Sequence, residues 1–122
     1  MVSSSGPGRP AIRPTQAGTP AFTETDVREY LATNVFPGGV TLSGASPTIT
    51  EIMFVTSKQA SDIMKGEYVG LPHTAPVCYV QLQGPFSSES HSSPKGARPA
   101  TYQLGEMVFD AQTGNLLMWG VR

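Results

Sequence analysis

Apolar and polar residues repeat along this chain in two different periods, and each period predicts a different element. Apolar side chains three, four and eight positions after Val27 have the spacing of one helix face, which predicts a helix at about residues 24–34. Thr23 is a favoured helix N-cap, and Asp26 is placed to complete a capping box. Later segments are rich in β-branched and apolar residues and therefore predict strands. We expect strands at residues 48–56, 76–86, 101–110 and 115–121, and a short helix at 58–65 that Ser57 caps.

The order of these elements predicts an α+β fold with an antiparallel sheet of three to four strands. Consecutive strands without a helix between them pair most simply as antiparallel hairpins. The N-terminal amphipathic helix is expected to cover one face of the sheet, because its apolar stripe needs an apolar surface on which to be buried. We expect it to contact some of Met53, Val55, Val80, Leu82, Phe109 and Leu117.

Composition divides the 122 residues into a tether and one domain. Residues 1–20 are largely Ser, Gly, Pro and Thr, so they cannot bury enough apolar surface to offset the entropy of ordering. We predict a disordered tether there and a single α+β domain at residues 21–122; the alternative for the tether is an arm that docks on a partner. Residues 87–100 are also polar and predict a mobile loop between two strands, with a binding loop as the alternative.

The C-terminal hairpin has the most specific turn chemistry of the chain. Asp110 ends a strand-like segment, and its carboxylate is placed to accept backbone N–H groups from the residues that follow. Gly114 supplies the positive φ that closes the loop. We predict Asp110, Thr113 and Gly114 as structural turn residues. The segment lacks the further acidic or amide ligands of a calcium loop, so we do not predict a metal there.

This C-terminal segment, VFDAQTGNLL, resembles the last hairpin of PepSY domains, in which a strand, an Asp-Ala-x-Thr-Gly turn and an apolar strand follow one another. A helix followed by antiparallel strands is similar to the half-unit of that family. The resemblance implies a non-catalytic module that is usually extracytoplasmic, sometimes found in protease propeptides and suspected of inhibiting peptidases. The short helix at 58–65 and the loop at 87–100 depart from the pattern of the family.

Charge and hydropathy argue against nucleic acid and membrane insertion. The formal net charge is -1, whereas nucleic-acid-binding proteins usually carry a basic excess. No segment approaches the roughly 18 consecutive apolar residues of a membrane helix. The N-terminus lacks the apolar core of a signal peptide, so the expected compartment is cytoplasmic, or extracytoplasmic if an export signal was removed.

The residue types that carry chemistry do not form a recognisable catalytic set. Cys78 lies mid-strand among apolar residues, where burial disfavours the thiolate. His73 and His91 lie in loops without a cluster of carboxylates beside them, which makes a zinc site unfavourable. The carboxylates are scattered, and no phosphate-binding glycine motif occurs. The sequence therefore predicts no enzyme activity, no catalytic residue, no cofactor and no metal.

The densest apolar cluster lies in the last predicted strand and is the candidate interaction surface. Side chains of a strand point to both faces, so part of this cluster is exposed unless something covers the second face. That cover is either the core of the domain or a protein partner, including a second copy of the chain. The residues of the candidate surface are Leu116, Met118 and Trp119.

Three functions follow as hypotheses. The first is a non-enzymatic protein-interaction or structural module with a protein partner or a homo-oligomer. The second is a small-ligand-binding cystatin-like α+β domain or hydrolase, with a pocket between helix and sheet lined by Tyr30, Tyr79 and Met53. The third is a peptidase inhibitor that acts through the loop at residues 87–100.

Overall fold

One four-stranded antiparallel sheet and two helices make up the part of the chain that the structure describes. The structure is a computed structural model that describes residues 11–34, 36, 47–87 and 101–122. Neighbouring strands pair antiparallel in the order β1-β2-β3-β4, which confirms the predicted α+β class and the antiparallel sheet. The elements are α1 (Glu24–Thr33), β1 (Thr48–Thr56), α2 (Ser57–Ile63), β2 (Pro76–Ser87), β3 (Thr101–Asp110) and β4 (Leu116–Val121).

Helix α1 covers one face of the sheet, which we call the α1 face. The predicted capping box is present, because the backbone N–H of Asp26 donates to the Thr23 hydroxyl and the Asp26 carboxylate accepts from the Thr23 N–H at 2.8 Å. Val27 is fully buried, and the ring of Tyr30 meets Phe109 edge-on at 5.8 Å. Of the sheet residues expected to contact this helix, Val80, Leu82 and Phe109 belong to the core of this face.

The opposite face, which we call the α2 face, is covered as well. Helix α2 and the segment after it bury a second core, to which Met53, Val55 and Leu117 contribute, so these three residues do not lie on the face of α1. Residues 105–109 of β3 are buried without interruption. Both faces of this part of β3 are covered, so its burial is continuous and does not alternate. The residues of the second core are Ala60, Met64, Val69, Val77, Tyr79 and Val108.

Helix α2 begins one residue earlier than the predicted cap implies. Thr56 is the N-cap and forms a capping box with Gln59, so the prediction of Ser57 as cap is wrong. Thr56 is still extended and pairs with Pro76, and its hydroxyl accepts the N–H of Gln59 at 3.1 Å. Ser57 is buried, and its hydroxyl donates to the carbonyl of Leu71 at 3.3 Å. Strand β1 therefore runs directly into the helix.

Ile12, in the second half of the predicted tether, and Ala21, just after it, are both hydrogen-bonded to the hairpin of β3 and β4. Ile12 is 3% exposed, and its N–H donates to the carbonyl of Gly114 at 3.0 Å. Ala21 likewise donates to the carbonyl of Ala111 at 2.8 Å. Packing in the structure therefore begins before residue 21. Residues 1–10 of the tether and residues 88–100 of the predicted loop lie outside the described residues.

Candidate interaction site

The turn between β3 and β4 fixes where β4 begins. One carboxylate oxygen of Asp110 accepts the N–H of Gln112 at 2.8 Å, and the hydroxyl of Thr113 accepts the N–H of Asn115 at 3.2 Å. Gly114 has a φ of +80° and donates its N–H to the carbonyl of Asp110 at 2.8 Å. Local side-chain acceptors thus take up backbone donors that would otherwise be unpaired at the reversal.

Strand β4 is an edge of the described sheet, and its outer side carries backbone groups directed away from β3. Leu104 and Arg122 exchange two hydrogen bonds, each of 2.9 Å, so they form a hydrogen-bonded pair. Such pairs alternate along an antiparallel ladder, and Trp119 opposite Met107 is therefore a non-hydrogen-bonded pair. The N–H and C=O groups of Trp119 and Val121 consequently point outward from the sheet.

The three residues of the candidate surface lie on both faces of this edge strand. A register shift at Val108/Phe109 interrupts the alternation, and Leu116 consequently packs on the core of the α1 face, whereas Met118 packs on that of the α2 face. Trp119 is 37% exposed, and its ring meets Phe36 edge-on at 5.9 Å on the α1 face. The core therefore covers Leu116 and Met118 in part, and Trp119 is the most exposed of the three.

The two edge strands differ in how well they are protected against pairing with another strand. Strand β1 carries the exposed Glu51 and a register shift between Ile49 and Glu51, both of which hinder the approach of another strand. Its exposed aromatic is Phe54, at 39%, which packs on Phe22 at 5.7 Å. Strand β4, with the sequence LLMWGV, contains no charged residue and no proline. β4 is thus the less protected edge.

A polar cluster beside β4 was not predicted from the sequence. Glu106 is only 6% exposed, accepts two hydrogen bonds of 3.0 Å from the Arg122 guanidinium, and accepts a third from the Tyr79 hydroxyl. Gln81 donates to the Tyr79 oxygen at 3.0 Å, and burial is the main cause that raises the pKa of Tyr79. The only available signal was a charged residue inside an apolar strand, since its partner Arg122 lies 16 residues away.

Glu106 and Arg122 of this cluster also line a cavity of about 300 Å³. Its walls come from β4 and from the segment that follows α2. Arg122 also donates to the carbonyl of Ile63 at 3.4 Å, so it joins the end of α2 to the end of β4. The residues around the cavity include Met64, Lys65, Glu67, Glu106, Met118 and Arg122.

Cys78 has the environment of a core residue. It is fully buried on the α1 face, and burial followed by the negative charge of Glu24 raises the pKa of its thiol to about 12. The thiol is therefore neutral at physiological pH and supplies no nucleophile. Exposed His73 donates no side-chain hydrogen bond to it among the described residues; His91 lies outside them. Within the described ranges, no group of three His, Cys, Asp or Glu residues is arranged to hold a metal ion.

The pocket predicted from Tyr30, Tyr79 and Met53 does not assemble. Tyr30 packs on the core of the α1 face, whereas Tyr79 and Met53 belong to that of the α2 face. An open cleft of about 500 Å³ lies instead beside α1, with Arg13, Asp26 and Tyr30 among its lining residues. The sheet therefore separates the side chains that the ligand-binding hypothesis placed together.

Comparison of the chain with models of protein families, with curated proteins and with solved structures finds no match. Among the residues that the structure describes, no helix is long and apolar enough to cross a membrane.

Proposed function

We propose that this chain is a non-enzymatic protein-interaction module that contacts another polypeptide through the outer edge of β4. The observation that carries the proposal is the combination of outward backbone groups at Trp119 and Val121 with an edge free of charge and proline. Extended polypeptides bind at such edges by adding a strand, with main-chain hydrogen bonds supplying affinity and side-chain contacts supplying specificity. Trp119 adds an exposed aromatic, the residue type enriched at the energetic centres of interfaces.

Two further features support a role in contact rather than in catalysis. The thiol of Cys78 is buried and neutral, and the buried carboxylate of Glu106 forms an ion pair with Arg122. The resemblance to PepSY domains, which stays a proposal, points the same way, since those domains are non-catalytic modules. Peptidase inhibition through residues 87–100 stays a separate prediction, because that segment lies almost entirely outside the described residues.

The test is a crosslinking and co-purification survey with the full chain and two matched variants. Trp119→Lys places a charge at the β4 edge, whereas Phe54→Lys makes the same change at an aromatic of similar exposure on the β1 edge. We expect contacts of the wild-type chain, with a partner or with itself, to be lost with Trp119→Lys and kept with Phe54→Lys. Circular dichroism of both variants checks that they are folded. A wild-type chain that makes no contact at all, or contacts that survive Trp119→Lys, would overturn the proposal.

A further inference from the structure

We infer that the outer edge of β4 pairs with β4 of a second copy of this chain, antiparallel and about a twofold axis. The inference rests on the proposed function, because it names the partner of the same edge. Antiparallel pairing of one strand with its own copy is isologous: every contact is made twice, and the pairing closes as a dimer. The paired strands would join two four-stranded sheets into one.

The backbone of β4 fits this pairing in a defined register. Trp119 presents both its N–H and its C=O outward, so Trp119 opposite Trp119 of the second copy forms a hydrogen-bonded pair in which each residue donates and accepts once. Val121 presents the next pair of outward groups along the strand. The twofold axis then passes between the two Trp119 residues.

Charge is compatible with self-pairing at β4 and unfavourable at β1. No like charges face each other across paired β4 strands, because LLMWGV has none. Arg122 lies three residues from the axis, so the two Arg122 backbones are about 20 Å apart along the strands, which is beyond the screening length of about 8 Å at physiological salt. Strand β1 has the exposed Glu51 and a bulge. Of the two edges, β4 is the one whose charge pattern permits a second copy.

Shape supports the same register. With Trp119 on the axis, Met118 of one copy lies opposite Gly120 of the other, on the α2 face. A Cβ built on Gly120 meets nothing within 4 Å, so the space above this glycine is open. The cavity of about 300 Å³ borders the same residues. On each side of the axis, the flexible side chain of Met118 therefore faces the open space above Gly120 of the other copy.

The first experiment measures mass in solution by sedimentation velocity at several concentrations of the full chain. We expect a concentration-dependent shift from 12.9 kDa to twice that mass. Trp119→Lys brings two like charges together on the axis and should raise the dissociation constant of the dimer on the order of 100-fold. Val121→Pro removes an outward N–H without touching the β3 ladder and should also weaken the dimer. Phe54→Lys should leave it unchanged.

The second experiment tests the register with Trp119→Cys, oxidised with diamide. The Cα atoms of a hydrogen-bonded antiparallel pair are about 5.5 Å apart, which is within disulfide range. We expect a disulfide-linked dimer from Trp119→Cys and none from Phe54→Cys, and buried Cys78 is common to both variants. A monomer at every concentration, a dimer that tolerates Trp119→Lys, or no link at position 119 would overturn the inference. If the chain is monomeric but loses a different protein partner with Trp119→Lys, the inference fails and the proposed function stands.

Discussion

Glu106 is the residue whose structural role is least predictable from the sequence. Its neighbours in β3 are buried, and its own side chain is buried as well because both faces of the strand are covered. A buried carboxylate needs a counter-charge and hydrogen-bond donors. Arg122 and Tyr79 supply both, but only the register of β2, β3 and β4 brings them together. No spacing along the chain predicts such a cluster.

Replacing Glu106 with Gln should destabilise the domain. The change removes the charge between the two Arg122 hydrogen bonds and leaves an amide N–H₂ where an acceptor was needed. We expect a loss of about 2 kcal/mol in the free energy of unfolding, measured by urea denaturation. The loss is smaller than for a fully buried ion pair, because the Arg122 side chain is partly exposed and can be hydrated in the variant. The matched control is Glu24→Gln, which breaks the exposed pair with Arg28 and should change stability by less than about 0.5 kcal/mol. Equal effects of the two substitutions would show that the Glu106 cluster is not stabilising.

At the scale of elements, the sequence predicted what depends on local periodicity and missed what depends on pairing. The range of β1 and the N-terminus of α1 follow from β-branched residues and a capping box, and both are as expected. The cap of α2 is Thr56 and not Ser57, because the pairing of Thr56 with β2 decides where the strand stops. The faces of Leu116 and Met118 depend on the register shift at Val108/Phe109, which no composition encodes.

Gly66 is one of two consecutive residues with a positive φ at the end of α2, the other being Lys65 at +63°. It follows α2 with a φ of +92° and donates its N–H to the carbonyl of Ser61 at 2.8 Å. A Cβ at this position meets nothing within 4 Å, so Gly66→Ala should cost only the left-handed conformation, about 1 kcal/mol in the free energy of unfolding. Gly66→Asn should cost less, since asparagine tolerates this region. Thermal and urea unfolding of the two variants check this; an alanine variant as stable as the asparagine variant would contradict it.

At the scale of the whole molecule, the first described residues of the chain are hydrogen-bonded to its last hairpin. Ile12 and Ala21 both donate to carbonyls of the β3–β4 reversal, and Ile12 belongs to the core of the α1 face. A single isoleucine within a Gly- and Pro-rich segment has no periodicity from which burial is predicted. Its role arises from a surface that exists only after the sheet and α1 have formed.

Ile12→Ala should therefore behave as a core truncation although it lies in the segment predicted as a tether. Truncating a side chain of the α1-face core that is only 3% exposed leaves a cavity, and we expect a loss of about 3 kcal/mol in the free energy of unfolding. Arg13→Ala, at the exposed neighbouring position, should stay within about 0.5 kcal/mol of the wild-type chain. Urea denaturation of the full chain measures both. If Ile12→Ala were as mild as Arg13→Ala, residues 11–20 would contribute nothing to the core, and the domain would begin at residue 21 as its composition alone suggests.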